Sequence, residues 1–354
     1  MFQFNKILKF LLGLGILTFG VLLLFQVPSV QDRLLENAIQ NLAQNNMPKE
    51  DSLTAIVCGS RSPLPHPSRD EACILVIAGK DIYVVDTGAG SANNVLQWTI
   101  PFNRIKAILL THLHSDHITD LPTFHLQTWI RQNRSSKLDV YGPKGVDSVV
   151  QGFEDAYNLD YAFRNAHHGD EIAPLEVAGM KAHTIDLNNP VIIESDDLSI
   201  RAFEVDHHPV KPALGYRFDY KGRSIVISGD TSPSQNLTDH SRNVDVLFHE
   251  AQANHILKPM SQFMLNNGQA MAAKILDDIT TYHTTPLEAA AIAYAANVKH
   301  LVFYHLNPSP RNDIMANIFT RGVADVFDEW TLSDDGTMVV LPVDSEEIQI
   351  SNLN

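Results

Sequence analysis

Apolar residues gather along this chain in short runs separated by polar, Gly- and Pro-bearing turns, and the length and period of each run set the element it predicts. Leu53 to Cys58 reads as a strand. After a loop from Gly59 to Pro67, Ala72 to Ala78 and Asp81 to Asp86 form a hairpin turned at Gly79-Lys80. Ile105 to Leu110 is an apolar run suited to a strand buried on both faces. Further strands are predicted at Leu138–Tyr141, Leu198–Val205, Gly215–Tyr220, Arg223–Ser228, Val244–Phe248 and Leu301–Tyr304, with Lys221-Gly222 as the turn between the third and fourth of these. Helices are predicted from about Leu121, from Lys144 to Tyr157, and from Thr285 to about Asn297. The last has a strong start: Thr285 as N-cap, Pro286 at the first helical position and Glu288 in the capping-box position. The order strands-then-helices occurs twice, which predicts two layered halves.

The N-terminus breaks this pattern. Phe10 to Phe25 is apolar, interrupted only by Thr18, Gly13, Gly15 and Gly20, and Lys6 and Lys9 precede it. The run is longer than most signal-peptide cores and slightly short of the ~20 residues that span a bilayer. Gln26-Val27-Pro28-Ser29-Val30 lacks a small-x-small cleavage site, so an uncleaved signal-anchor is favoured over a cleaved signal peptide or a buried core helix. Lysines before the run and none just after it orient the short tail to the cytoplasm and the domain to the extracytoplasmic, periplasmic side. The chain therefore divides into 1–30 as the targeting segment, 31–52 as a polar linker helix, and 53–354 as the catalytic domain.

Composition adds two constraints. The net charge of −15 comes from 41 Asp and Glu against 26 Lys and Arg, spread along the chain with no clustered basic face, which argues against nucleic acid as partner. Cys58 and Cys73 end two predicted strands flanking the Pro-rich loop. Antiparallel pairing would bring them within disulfide reach in an exported domain, and two small buried apolar side chains is the other reading.

The chemistry is concentrated after Leu110. Thr111-His-Leu-His-Ser-Asp-His117 packs four potential metal ligands, His112, His114, Asp116 and His117, into six positions at a strand end. Neutral imidazoles suit zinc and related ions, and the carboxylate adds a harder oxygen donor. Further candidates also follow apolar runs: His207 or His208, Asp230 in Ser228-Gly-Asp-Thr231, and His305. Each alone also reads as a turn or surface residue; taken with the cluster they make a metal site at one rim of the sheets. Asp86 reads as a tie under a loop. His66, His125, His167, His168, His183, His240, His255 and His300 carry only structural readings, and Ala253 to Tyr282, with Met260, Phe263 and Met264, forms either a lid or an ordinary Met-faced helix.

The segment 111–117 resembles the signature of the metallo-β-lactamase superfamily. Gly59-Ser-Arg-Ser-Pro-Leu-Pro65, Asp86-Thr-Gly88, Gly215-Tyr216, Ser228–Thr231, His249-Glu-Ala251 and His283-Thr-Thr285 resemble its ribonuclease Z and arylsulfatase-like branch, over about residues 53–310. The resemblance implies an α+β fold, a four-layer αββα sandwich of two mixed β-sheets flanked by helices. It implies two divalent ions, zinc by default with Mn2+ or Fe2+ as alternatives: one held by His112, His114 and His207, the other by Asp116, His117 and His305, with Asp230 bridging. His207 is chosen over His208 because the family's run has Asp-His, a variable residue, then Pro and Val, as in Asp206-His-His-Pro-Val210.

By the same resemblance a metal-activated hydroxide attacks the substrate, Asp116 orients or deprotonates the water, His283 protonates the leaving group and Glu250 fixes the His283 tautomer. The expected reaction is hydrolysis of a phosphodiester or (aryl)sulfate-type ester in a small substrate by a membrane-anchored enzyme. Transfer-RNA processing ranks low, for want of a long basic arm or Lys/Arg face. The alternatives are lactone or β-lactam hydrolysis, and a metal-binding membrane protein without turnover.

Overall fold

A computed structural model describes Leu11 and residues 23–42, 47–131 and 134–354. The expected membrane segment falls almost wholly outside the described residues, among which no helix is long and apolar enough to cross a membrane. The chain divides into two compact units, Met1–Asn46 and Met47–Asn354. The first contains helix α1 (Pro28–Leu42), whose described side chains are mostly exposed, Leu34, Leu35 and Ile39 among them.

In the second unit two sheets lie face to face. The first has eight strands: β1 (Ser52–Gly59), β2 (Cys73–Ala78), β3 (Asp81–Val85), β4 (Ile105–Leu109), β5 (Leu138–Gly142), β6 (Met180–Thr184), β14 (Thr337–Pro342) and β15 (Gln349–Asn352), in the order β15-β14-β1-β2-β3-β4-β5-β6. The second has seven: β7 (Val191–Glu194), β8 (Leu198–His207), β9 (Val210–Tyr220), β10 (Arg223–Ile227), β11 (Val246–Gln252), β12 (His300–Asn307) and β13 (Trp330–Leu332), in the order β13-β12-β11-β10-β9-β8-β7. Each sheet is mixed. Strands β1 to β3 and β7 to β10 pair antiparallel, while β3 to β6 and β10 to β13 pair parallel.

Period-two alternation sends every second side chain of a strand between the sheets. Val76, Leu109, Tyr216, Phe218, Phe248 and Val302 meet there in one buried core. The opposite faces are also covered, which is why the central strands read as unbroken apolar runs. Leu75, Val84 and Ile108 lie under helices α2 (Ser91–Gln97), α4 (Leu121–Ile130) and α5 (Val146–Ile172), and Leu247, Leu301 and Phe303 under α9 (Pro286–Ala295). The fold is thus the four-layer αββα sandwich, with the two layered halves predicted from the element order.

The remaining helices are α3 (Ser115–Ile118), α6 (Gln235–His240), α7 (Asn254–Asn266), α8 (Ala270–Asp278) and α10 (Asp313–Phe319). The stretch Ala253 to Tyr282 is therefore a helical hairpin, α7 against α8, tied by Ser261 Oγ donating to Ala273 O. Helix α5 runs well past Tyr157, its second half burying Tyr161 against Trp129 while Leu159 and Phe163 stay exposed, and it is interrupted at Gly169 (φ 70°). The start of α9 carries the predicted capping box, Thr285 and Glu288 satisfying each other's backbone N–H. At the turn joining β9 to β10, Lys221 (φ 47°) and Gly222 (φ 83°) are both left-handed, as a two-residue type I′ hairpin demands.

Candidate metal centre

The parallel strands deliver their C-terminal ends to one rim, and the candidate ligands stand there. Strand β4 ends at Leu109, and the chain then passes through His112 and His114 into the one-turn helix α3, which carries Asp116 and His117. His207 is the last residue of β8, and Asp230 follows β10. Gly229 makes that last placement possible: at φ 62° its Cα packs so close to Leu214 O that a Cβ would approach it to 2.4 Å. His305 lies within β12 at a bulge, where Glu250 pairs with Tyr304 and Ala251 with Leu306. The extra residue takes φ 45°, and its side chain turns into the centre.

Two triples of donors result. His112, His114 and His207 offer ligand atoms within 4.8 Å of one another, and so do Asp116, His117 and His305. Asp230 joins them, its Oδ2 lying 3.9 Å from His112 Nε2 and 3.4 Å from both His117 Nε2 and His305 Nε2. Of the doublet, His207 is buried within the cluster, whereas His208 is exposed and outside it.

A layer of hydrogen bonds fixes how these side chains point. Carboxylate and carbonyl oxygens only accept, so His117 Nδ1 donates to Asp86 Oδ2 at 2.8 Å and His207 Nδ1 donates to Tyr282 O at 3.1 Å. Each ring therefore presents Nε2 to the centre. Asp86, itself left-handed at φ 59°, also accepts from Thr111 N and Thr111 Oγ1, both at 2.8 Å. With its proton so committed, Thr111 Oγ1 accepts from His112 Nδ1 at 3.1 Å, and His112 Nε2 faces inward as well.

The electrostatics suit divalent cations. Burial, then His117, hold His112 neutral well below its ordinary pKa, and burial likewise depresses His114 and His207. Burial opposes the charge of Asp116 and Asp230, yet the surrounding histidines hold both carboxylates well below the ordinary range. Around His117 burial is outweighed by Asp230, Asp116 and Asp86, which push its pKa well up. His117 Nε2 and Asp230 Oδ1 are buried without a hydrogen-bond partner. Imidazoles buried except at His114, beside ionised carboxylates, are a donor set that fits zinc or a related ion.

Beside the triples stands a second assembly. Glu250, fully buried on β11, accepts on Oε1 from His283 Nδ1 at 2.8 Å, Thr231 N at 3.1 Å and Thr284 N at 3.3 Å. It thereby locks the segment behind Asp230 to the one carrying His283. The His283 ring lies 5.1 Å from that of His207 and is stacked 5.9 Å from that of His305. Burial works against a charge on His283, but Glu250, by proximity and hydrogen bond, and then Asp230 and Asp116 push its pKa up to about 9.

All the sequence-derived candidates, His112, His114, Asp116, His117, His207, Asp230, Glu250, His283 and His305, thus meet at one rim. His249 does not: it is buried and bonds the carbonyl of its neighbour, Glu250. Sequence reasoning missed the orienting roles of Thr111 and Tyr282. Tyr282 acts through its backbone carbonyl, which leaves no side-chain signal, while Thr111 adjoined the cluster and was legible in principle. Cys58 and Cys73 form a disulfide.

Comparison with known proteins agrees with this architecture. A family model described as a β-lactamase superfamily domain matches residues 82–306. Ribonuclease Z of Mycolicibacterium paratuberculosis is 34% identical over 253 residues, 71% of this chain and 85% of that one. Ribonuclease Z of Mycolicibacterium gilvum is 31% identical over 269 residues, 74% and 88% of the two chains. Among solved structures, the short form of human tRNase Z aligns with a TM-score of 0.60 at 19% identity, over 82% of this chain and 99% of its own. YhfI of Bacillus subtilis, a metallo-β-lactamase fold protein, aligns at 0.58 with 18% identity, over 82% and 100%. At these identities the two structures speak to fold alone. The sequence relatives are named as ribonucleases, which runs against the expectation that nucleic acid is no partner and supports the ribonuclease Z side of the resemblance over the arylsulfatase side. Through its family match, these relatives and its fold, the chain belongs to the metallo-β-lactamase superfamily of metal-dependent hydrolases, in its ribonuclease Z-like branch.

Proposed function

We propose that the protein hydrolyses phosphodiesters of the nucleic-acid type at a dinuclear metal centre, with His283 as proton donor. One observation carries the reading: two donor triples share Asp230, and a histidine held protonated by a buried glutamate stands beside both. His112, His114 and His207 would hold one ion and Asp116, His117 and His305 the other. Divalent ions bound there lower the pKa of water and neutralise charge developing on phosphoryl oxygens.

The chain's own groups do the rest. Asp116 stays ionised against His117 and His305, and so is able to accept a hydrogen bond that orients the attacking water. His283, with Nδ1 committed to Glu250, keeps its other nitrogen free for the leaving oxygen. The buried Glu250 carboxylate on Nδ1 favours the protonated imidazole. The apolar N-terminal run behind Lys6 and Lys9, with the Cys58–Cys73 disulfide, supports an anchored enzyme working outside the cytoplasm.

The test compares leaving groups in the metal-loaded protein. p-Nitrophenolate departs without protonation, whereas an alkoxide needs a proton. His283→Ala should slow hydrolysis of an alkyl phosphodiester by roughly 10²–10⁴ and that of bis(p-nitrophenyl) phosphate far less. Equal losses on both remove His283 as acid. Turnover of an aryl sulfate, lactone or β-lactam in place of any phosphodiester overturns the reading as a whole.

A further inference from the structure

Two residues past His283 the chain enters the wall of a cleft of about 530 Å³. One side is the first turn of α7, with His255 and Lys258. Another is the start of α9, with Pro286 and Leu287, and the end of α10 supplies Phe319 as floor and Arg321 beyond it. The cleft and the metal centre share a backbone. Gln252 N at the end of β11 donates to Thr284 O at 2.8 Å, so the strand that positions Glu250 continues directly into the cleft wall. His255 Nε2 donates to Ile318 O at 2.8 Å and fastens that wall to α10.

The lining is unusual for this molecule. The chain carries 41 acidic and 26 basic side chains, yet no Asp or Glu lines this cleft, while Lys258 and Arg321 do, both exposed. Among the described residues neither has an ion-pair partner. Glu288, one turn into α9, is folded back onto Thr285 N at 2.9 Å and Thr285 Oγ1 at 2.6 Å in the capping box. Between the cations the walls are apolar: Pro286, exposed Leu287 and buried Phe319, with the His255 ring beside them. An apolar cleft with two exposed cations and no acidic lining residue is complementary to a nucleobase whose flanking phosphate stays at the surface.

We propose that this cleft is a substrate subsite which takes one nucleotide flanking the scissile bond of a single-stranded nucleic acid, with the base against Leu287 and His255 and its phosphate on Lys258 and Arg321. The assignment rests on the phosphodiesterase reading and sharpens it: the cleft determines which phosphodiesters are held well, and takes no part in the chemical step. A substrate without a flanking nucleotide, such as bis(p-nitrophenyl) phosphate, does not reach it.

The test uses the metal-loaded full chain and a fluorescein-labelled single-stranded oligonucleotide of about eight nucleotides with cleavage-resistant phosphorothioate linkages, with binding read by anisotropy. Lys258→Glu with Arg321→Glu should weaken Kd by at least about tenfold and lower the slope of log Kd against log salt by about 0.7, as expected for one lost phosphate contact. Hydrolysis of bis(p-nitrophenyl) phosphate by the same variant should keep the wild-type kcat/KM. The exchange Lys258→Arg with Arg321→Lys should bind as the wild type does. An unchanged Kd in the charge-reversed protein overturns the subsite, as does a failure of the charge-preserving exchange to bind. If charge reversal also lowers the thermal midpoint, Lys258→Gln with Arg321→Gln decides by the same criteria. Absence of any bis(p-nitrophenyl) phosphate turnover by wild type counts against the phosphodiesterase reading alone, because the binding comparison is scored without turnover.

Discussion

His125 and His117 are both buried, and their surroundings send them in opposite directions. Three carboxylates surround His117 and one of them orients it. His125, on α4, packs edge-on to Tyr161 with ring centroids 5.5 Å apart, and neither ring nitrogen has a protein partner. Burial, then the charges of Arg134 and Lys137, push its pKa down to about 4. Unfolded, the same imidazole titrates near 6.5. Between these values the unfolded chain binds the extra proton, so stability present above pH 6.5 is lost as pH falls toward 4, by at most about 3 kcal/mol. His125→Leu should flatten the pH dependence of the urea midpoint between pH 7.5 and 5 relative to wild type; an unchanged slope means another group sets it. At this scale the sequence was informative where side chains do the work. Six alternating or adjacent positions exposed four ligands, and apolar runs ending in His207, Asp230 and His305 supplied the others. What could not be read was pointing: whether His207 or His208 turns inward depends on strand register, and the tautomer of His207 depends on a carbonyl.

The element that links the disulfide to the centre is the loop between β1 and β2. Cys58 and Cys73, 15 residues apart in sequence, close that loop at its base, and its outer part reaches the other sheet. Leu306 N donates to Ser60 O at 2.8 Å and Ser62 N donates to Leu306 O at 3.3 Å, directly beside the bulged His305. Asp335 holds the same loop, accepting from Ser60 N at 2.9 Å and Asp70 N at 2.7 Å. A closed loop of this length stabilises by about 3 kcal/mol, mainly by restricting the unfolded chain. Replacing both cysteines by alanine should therefore lower unfolding free energy by about that amount, read by urea titration. Zinc bound per chain, measured by elemental analysis, should stay at the wild-type value, because the Asp335 and Leu306 contacts still hold the loop. Loss of metal along with stability would show that the disulfide itself maintains the His305 side of the centre. Elements with strong local signals were legible: the hairpin at Gly79-Lys80, the capping box at Thr285, the runs that became β4 and β12. The strands after Gly336 were not, because β14 gains its place by pairing with β1 from the far end of the chain and β15 by pairing with β14.

For the molecule as a whole, the layered fold followed from the order of elements and the unbroken apolar runs, while its charge distribution did not. A net charge of −15 spread along the chain hides the fact that Lys258 and Arg321, far apart in sequence, converge on one cleft. Summed charge speaks to solubility and long-range repulsion of polyanions; local convergence decides whether one is held. The location of the whole domain is open to direct measurement. On the proposed orientation, with Lys6 and Lys9 on the cytoplasmic side, a C-terminal epitope on the chain expressed in bacteria should be cleaved when protease is added to intact spheroplasts, while a cytosolic marker survives. An epitope protected until the membrane is lysed would return the domain to the cytoplasm.

The tight turn at Lys221 and Gly222 separates two ligands that it never touches. Strand β8 ends at the rim in His207, β9 runs back from it, and β10 returns to deliver Asp230, so the turn lies at the end of the sheet remote from the metal centre. A Cβ on Gly222 would meet nothing within 4 Å. Residues spliced between the two would lengthen the hairpin outward and leave the pairing of β9 with both neighbours intact, provided Tyr220 and Lys221 keep their contacts with Asp51. That makes the hairpin tip an attachment point for a reporter fluorophore or surface-immobilisation tag, from which binding at the far rim can be followed without altering it.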